Sequence, residues 1–342
     1  MIRMKRWPKV SVVMSNYNGY RLDLVQESLP AILANDYPNL EVILIDNCST
    51  DETVRYVLKK FSNHPKFRLI QNPFNMYSQG LNLGVKNATG KYVAFFNNDA
   101  FVDNGYFQTF INFLEKHPKV ALAQGKLVSY FDHNIIDSTG ETMDGFGNNF
   151  TIGQGQDAKL SFNQTADILS VSGSCSMMRR SIIESVGLFD EDYGIGYEDM
   201  DMALRCWLKG YQILYFPDAI AYHKRGATDL APSVRPIVRW HFNKNRLATL
   251  LKNFPISDLI LSLPVTLSIY LLAGLWEVVI KNNSTLGITR FTSILWLIDQ
   301  FPTILRKRSI IRNNPDPEGY IRIKQLLYSN ILFGSFKSFI KS

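Results

Sequence analysis

The sequence predicts an α/β fold: a mostly parallel sheet with helices on both faces, followed by a helical region that is apolar and basic. Three observations carry this. Between Pro8 and about Pro118, short β-branched and aromatic runs alternate with amphipathic stretches. Those runs are apolar nearly throughout instead of at every second position, the pattern of strands buried on both faces. Charge is also uneven: the 342 residues carry a net +7, yet from residue 220 onward there are 17 basic and 6 acidic side chains.

The elements follow in order. VSVVMS (10–15), EVILID (41–46), FRLIQ (67–71) and YVAFFN (92–97) read as strands. Between them RLDLVQESLPAILA, TDETVRYVLKKFS and SQGLNLGVKNA space apolar residues three and four apart, as helices do. Ser49, Thr50 and Asp51 are good caps for the second helix. From 120 to 180 the periodicity weakens: GETMDGFGNNFTIGQGQ reads as loop and ILSVSGSCSMMRR as one more strand. YGIGYEDMDMALRCWLKGYQILYFPDAIAYHKRG then reads loop, helix, strand, loop, with Gly210 ending the helix. After Pro236 come the helix VRWHFNKNRLATLLKNF and apolar segments around 257–280, 286–305 and 325–340. The chain divides on this reading into a catalytic part, 1–254, and a membrane-associating part, 255–342.

Composition narrows the function. A chain that is 46% hydrophobic and 20% charged is neither disordered nor low in complexity. Cys48, Cys175 and Cys206 are too few and too far apart for a disulfide framework or a structural zinc site, and read as reduced cytosolic thiols. The basic start MIRMKRWPK leads into an apolar run of only five residues, too short for a signal-peptide core, so the N-terminal part is expected in the cytosol. A basic, apolar tail without Gly/Ser-rich arms suits an anionic membrane surface and not nucleic acid. Leu259–Trp276 is an uncharged run of 18 residues, about 27 Å as a helix against a hydrocarbon core of about 30 Å. Three readings of it stay open: a helix in the membrane interface, a single span, or a cap on the catalytic part.

Parallel sheets bind ligands beyond the carboxyl ends of their strands. Polar residues cluster at those ends here: Ser15-Asn16-Tyr17-Asn18, Asp46-Asn47 and Asn97-Asn98-Asp99. VSVVMSNYNG, EVILIDNCSTDET, a strand ending in NNDA and GYEDMDMALRCWLKGYQILYFPDAIAYH occur in that order. Together, over roughly residues 8–250, they resemble the family 2 glycosyltransferases, especially their rhamnosyltransferase-like branch. The resemblance implies a GT-A (Rossmann-like) fold, a nucleotide-sugar donor carrying UDP or dTDP, a divalent cation (Mn²⁺ or Mg²⁺), and inversion at the anomeric carbon.

It also implies roles. Asn16, Tyr17 and Asn18 can offer hydrogen bonds to a base, and Asp46 would accept from the N–H of uracil or thymine. Against this, Asp46 and Asn47 are residues that commonly cap the next helix. Asn75 belongs to the phosphate side, although Tyr77 stands where the family often has glycine. Asn97-Asn98-Asp99 occupies the place of the Asp-x-Asp motif, with Asp99 keeping the metal-binding carboxylate. His223 matches the later histidine that completes the metal site, while a lone histidine of this kind is more often an ordinary loop residue. Asp199 is the expected general base with Glu198 next in line, although carboxylates in a first helical turn also simply complement the helix dipole. The stretch Tyr193-Gly194-Ile195-Gly196 has the freedom of a closing loop, and Asp201 reads as structural.

Processive relatives carry Gln-x-x-Arg-Trp. This chain has Pro236-Ile237-Val238-Arg239-Trp240, which predicts addition of a single sugar to a glycan or lipid-linked acceptor. Two competing readings are a sugar-1-phosphate nucleotidyltransferase and a catalytically degenerate partner in a glycan assembly complex. The first wants a Gly-rich, Arg-containing loop that SNYNGYRLD does not supply, and the second is opposed by the presence of Asp99 and Asp199.

Overall fold

A computed structural model describes residues 6–225 and 235–327. Strands β1 (Val10–Asn16), β2 (Leu40–Asn47), β3 (Phe67–Asn72) and β4 (Tyr92–Asn97) alternate with helices α1 (Leu24–Leu33), α2 (Thr53–Phe61) and α3 (Tyr77–Asn87). There follow β5 (Ala100–Val102), α4 (Tyr106–Lys116), β6 (Val120–Ser129), β7 (Ile136–Ser138), β8 (Glu141–Met143), β9 (Asn149–Thr151), β10 (Ala166–Asp167), β11 (Cys175–Arg179), α5 (Arg180–Val186), α6 (Glu198–Leu208) and β12 (Gln212–His223). Five helices close the described chain: α7 (Pro236–Asn253), α8 (Ile256–Val279), α9 (Ser284–Asp299), α10 (Phe301–Ile311) and α11 (Pro317–Leu326).

The main sheet runs β10-β12-β6-β11-β4-β1-β2-β3, with β5 added to β12 and β7 to β6. β1 pairs in parallel with β2 and β4, and β2 with β3. β11 is reversed, antiparallel to both β4 and β6, while β12 is parallel to β6. β8 and β9 form a separate hairpin. Every residue of β1 is buried because both faces are covered. Val13, Ile43, Val93 and Phe95 face one core, with Leu81 and Val85 of α3. Val12, Met14, Val42 and Phe96 face the other, with Leu29 of α1 and Phe107 of α4. Successive side chains on a strand alternate faces, so an uninterrupted apolar run supplies both cores.

Several elements differ from expectation. VALAQGKLVS forms the long strand β6 although Gln124, Gly125 and Lys126 interrupt its apolar pattern. Its polar residues are satisfied internally: Gln124 Oε1 accepts from the Ser172 amide at 2.6 Å, and Lys126 Nζ donates to Ala158 O at 2.6 Å. Of ILSVSGSCSMMRR only Cys175–Arg179 is strand. None of the three proposed residues is the N-cap of α2, which falls on Glu52; Asp51 sits one residue earlier, its Oδ1 accepting from the Thr53 amide, and Ser49 is turned back to Asp46. Gly210 follows α6 at φ +77°, as predicted for its end.

Helix α7 is the strut between the sheet and the C-terminal helices, and it buries Asn243, Lys244, Asn245, Arg246, Lys252 and Asn253. α8 turns Ser262, Thr266, Tyr270, Gly274 and Glu277 inward. Glu277 is held by Arg239 and by Arg290, the latter at 3.1 Å. The outer side exposes Ile260, Leu261, Leu272 and Trp276, continued by Leu295, Ile298 and Ile310 on α9 and α10. α8 is long and apolar enough to cross a membrane by length and composition. Most of the apolar segment predicted at 325–340, including Tyr328, lies outside the described residues.

Candidate active site

A cavity of about 1110 Å³ opens at the carboxyl ends of β1, β2 and β4. Tyr17, Asn18, Asn47, Asn75, Asn97, Asn98 and Asp99 line it from the strand ends, and Glu198 and Asp199 line it from the first turn of α6. The structure therefore brings nine predicted residues to one space. It does not bring Asn16 or Asp46 to that wall. In register, Asn16 lies beside Asp46, and both are almost fully buried. The Asp46 carboxylate accepts from Asn16 Nδ2 at 3.0 Å, from the Ser49 amide at 3.0 Å and from Ser49 Oγ at 2.5 Å. Asn98 Nδ2 donates to Asn16 Oδ1 at 2.7 Å. The pair thus braces the wall from behind. Asn47, by contrast, reaches the cavity while held by Ser15 and Asn72.

His223 stands just behind Asp99. Its Nε2 lies 3.4 Å from Asp99 Oδ2 and 3.3 Å from Ser174 Oγ, and its Nδ1 is bonded to Asp137 Oδ2 at 2.8 Å. Burial alone would lower the imidazole pKa; Asp137 and Asp99 reverse that and raise it to about 9. Asp99 Oδ1 is buried with no hydrogen-bond partner. An orphaned carboxylate oxygen next to an imidazole oriented through its other nitrogen fits a divalent cation, which would take the place of the proton on Nε2. Among the described residues no group of three or more such ligands gathers, so these two would rely on substrate oxygens to complete the shell.

Three carboxyls meet on the other side. Burial pushes Asp199 up to about 6, against hydrogen bonds from backbone amides that include Met200. Burial and then the charge of Asp199 push Glu141 up to about 8. Burial, Asp199 and Glu141 hold Glu198 well above the carboxylate range. Burial and their mutual repulsion oppose ionisation of all three groups at once. Tyr77 sits between the two poles. Its hydroxyl donates to Asn97 Oδ1 at 2.8 Å and contacts Gly173 O at 3.2 Å, while burial and the surrounding carboxylates keep the phenol neutral.

The loop before α6, read from its glycines as a closing loop, is tied to α7 and α3 in this structure. Asn245 Nδ2 donates to the carbonyls of Tyr193, Ile195 and Gly196 at 2.7–2.9 Å, and the Ser78 amide donates to Gly194 O at 3.0 Å. Gly194 and Gly196 have φ of +68° and +81°. A Cβ would come within 2.4 Å of the His241 ring at the first and 2.6 Å of the Phe242 ring at the second. Close approach of α7, combined with positive φ, demands glycine here. Asp201 is structural as predicted: it is fully buried and paired with Arg205 at 2.9 Å and Lys252 at 2.8 Å.

Glu141, Asn149 and Asp137 escaped prediction. They lie between 120 and 180, where the periodicity weakens, and the only signal for the two carboxylates was their place beside glycine in DSTGETMDG.

Residues 11–187 match the profile described as glycosyl transferase family 2. The O-antigen biosynthesis protein RfbC of Myxococcus xanthus is 27% identical over 243 residues, 68% of this chain and 18% of RfbC. A poly-beta-1,6-N-acetyl-D-glucosamine synthase of Staphylococcus epidermidis is 26% identical over 214 residues, 62% of this chain and 49% of the synthase. The chain thus spans half or less of the length of these relatives. GalNAc-T7, solved with UDP, GalNAc and Mn²⁺, superposes with a TM-score of 0.61 at 13% identity, covering 87% of this chain and 58% of that one. That likeness shows the fold, GT-A.

Proposed function

The chain belongs to glycosyl transferase family 2, and from that membership we propose that it moves one sugar, with inversion, from a UDP- or dTDP-sugar to a hydroxyl of a glycan or lipid-linked acceptor. One observation carries the reading: a single cavity holds Asp99, backed by His223, and also Asp199 in the first turn of α6. Asp99 and His223 would hold Mn²⁺ or Mg²⁺, which supplies positive charge for a departing diphosphate. Tyr17 and Asn18 face the base of the donor. Tyr77 occupies the carbonyl oxygen of Asn97 and so frees the Asn97 amide N–H groups to donate to the donor. Asp199 takes the proton of the acceptor hydroxyl as it attacks. Glu198, whose protonated form burial and the neighbouring Asp199 favour, is the poorer base. One base and one displacement invert the anomeric centre.

The Asn-x-Asp form at Asn97 and Asp99 supports the rhamnosyltransferase-like branch. Single addition is supported by Arg239, which is spent on Glu277 and does not line the cavity. The test is a thermal-stabilisation screen of UDP- and dTDP-sugars with and without Mn²⁺, followed by transfer assays. A ligand at a hundred times its Kd stabilises by about 2.7 kcal/mol. Asp99→Ala is expected to remove the metal-dependent part of UDP binding, since the diphosphate loses its link to the protein. Unchanged Mn²⁺-dependent binding of that variant in calorimetry would refute the role of Asp99.

We also propose that residues 255–342 seat the enzyme on the cytosolic face of a membrane. The apolar outer side of α8–α10 and the basic C-terminal part support this, since each basic side chain near anionic headgroups contributes about 1 kcal/mol. The full chain is expected to float with anionic vesicles at low salt, and Leu272→Glu combined with Trp276→Glu to abolish flotation. A folded full chain that stays at the bottom of the gradient would refute the seat.

A further inference from the structure

We propose that Glu141 and Asn149, on the β8–β9 hairpin, form the acceptor subsite and grip hydroxyls of a polyhydroxylated acceptor beside the hydroxyl that Asp199 deprotonates. The proposal rests on the transferase reading above and adds the residues that would hold the second substrate.

Glu141 and Asn149 line the cavity together with Glu198 and Asp199. Asn149 Nδ2 donates to Glu141 Oε2 at 2.6 Å. That bond uses the donor end of the amide and leaves Asn149 Oδ1 buried and without a hydrogen-bond partner. Glu198, only 5% exposed, has its Oε2 in the same condition. A buried acceptor oxygen lacking a donor is costly, and native interiors rarely leave one. Two of them in one cavity wall call for a ligand that brings O–H donors. A carboxyl and a carboxamide side by side, open to a cavity, match neighbouring hydroxyls on a sugar ring. The diphosphate end of a donor is the wrong occupant for this wall, because its charge would face the Asp199 carboxylate and two acceptor oxygens that lack donors.

The hairpin is also held rigidly against the base. Tyr197, the residue before Glu198, donates from its hydroxyl to Gly147 O at 2.8 Å. Arg246 Nε donates to Phe146 O at 2.8 Å, and the amide of Glu141 to Ser170 O at 2.8 Å. The subsite and the first turn of α6 therefore move as one piece, which is what a productive alignment of hydroxyl and base needs.

The probes are p-nitrophenyl glycosides of glucose, galactose, N-acetylglucosamine and rhamnose, used with the full chain, Mn²⁺ and the donor it turns over. For whichever glycoside is accepted, Glu141→Gln and Asn149→Ala should each raise the glycoside KM about tenfold or more. The Kd for UDP with Mn²⁺ should stay the same, and saturation-transfer NMR signals from the glycoside should weaken. An unchanged KM in both variants overturns the subsite and leaves the transferase reading intact. Equal losses of UDP affinity and melting temperature would mean a role in the fold, and also overturn it. If Glu141→Gln does not fold, Asn149→Ala decides alone. Donor turnover by water only, with no saturation transfer to any glycoside, overturns the subsite. Absence of any donor turnover overturns the transferase reading and the subsite with it.

Discussion

Asp199→Asn is expected to lower turnover by about two to four orders of magnitude while leaving UDP affinity within about twofold of wild type. Asparagine matches aspartate in size and keeps a side-chain oxygen for the Met200 amide at the start of α6. It cannot take a proton. Because burial pushes Asp199 up to about 6, the wild type should lose kcat/KM as pH falls through about 6, where the carboxylate becomes protonated. The residual activity of the variant should show no such limb. Near-normal turnover of Asp199→Asn at saturating acceptor would transfer the role to Glu198.

Asp201→Ala should be the most damaging change to stability, costing about 3–5 kcal/mol in urea denaturation at pH 7. Asp201 is fully buried and receives Lys252, Arg205, Asn253 Nδ2 at 3.0 Å and the Tyr193 hydroxyl at 3.3 Å. Removing it leaves two buried cations with one fewer anion. Burial would raise the Asp201 pKa, but Lys252 and Arg205 outweigh it and hold the carboxyl well below its ordinary range. The sign follows: its stabilisation is complete above the unfolded-state value near 4 and fades only as pH falls through the lower folded-state value. Wild type and variant should therefore converge in strong acid. A loss under about 1 kcal/mol at neutral pH would contradict this account.

Much of the cavity was legible because its residues end periodic elements. Asp99 follows β4, Asp199 opens α6 and His223 ends β12, and each element announces its own boundary. What was not legible depends on tertiary contact. Whether Asp46 faces a ligand or its neighbour is decided by Asn16 across the register and by the turn to Ser49, neither visible in EVILIDNCS. Gly194 and Gly196 read as freedom because glycine written for mobility and glycine written for close approach are the same letter. Only the rings of His241 and Phe242 distinguish the two. Glu141 and Asn149 sit on strands of three residues, too short for any alternation to register.

The reversed strand β11 has a consequence for how the molecule is made. It lies between β4 and β6 in space but follows β6 in sequence. Until a ribosome has delivered Cys175–Arg179, β4 and β6 present unpaired edges to one another, the condition in which strands recruit wrong partners. Emergence in order does not resolve this, since the strand that separates β4 from β6 is made after both of them. The seam also governs chemistry. Asp99 belongs to the half built before it and His223 to the half built after it, and Ser174, one residue before β11, touches the His223 ring and the Asn97 amide. Asp99 and His223 themselves meet where β12 pairs with β5, His223 standing opposite Ala100, so the two side chains come together only once β12 as well as β11 has been made.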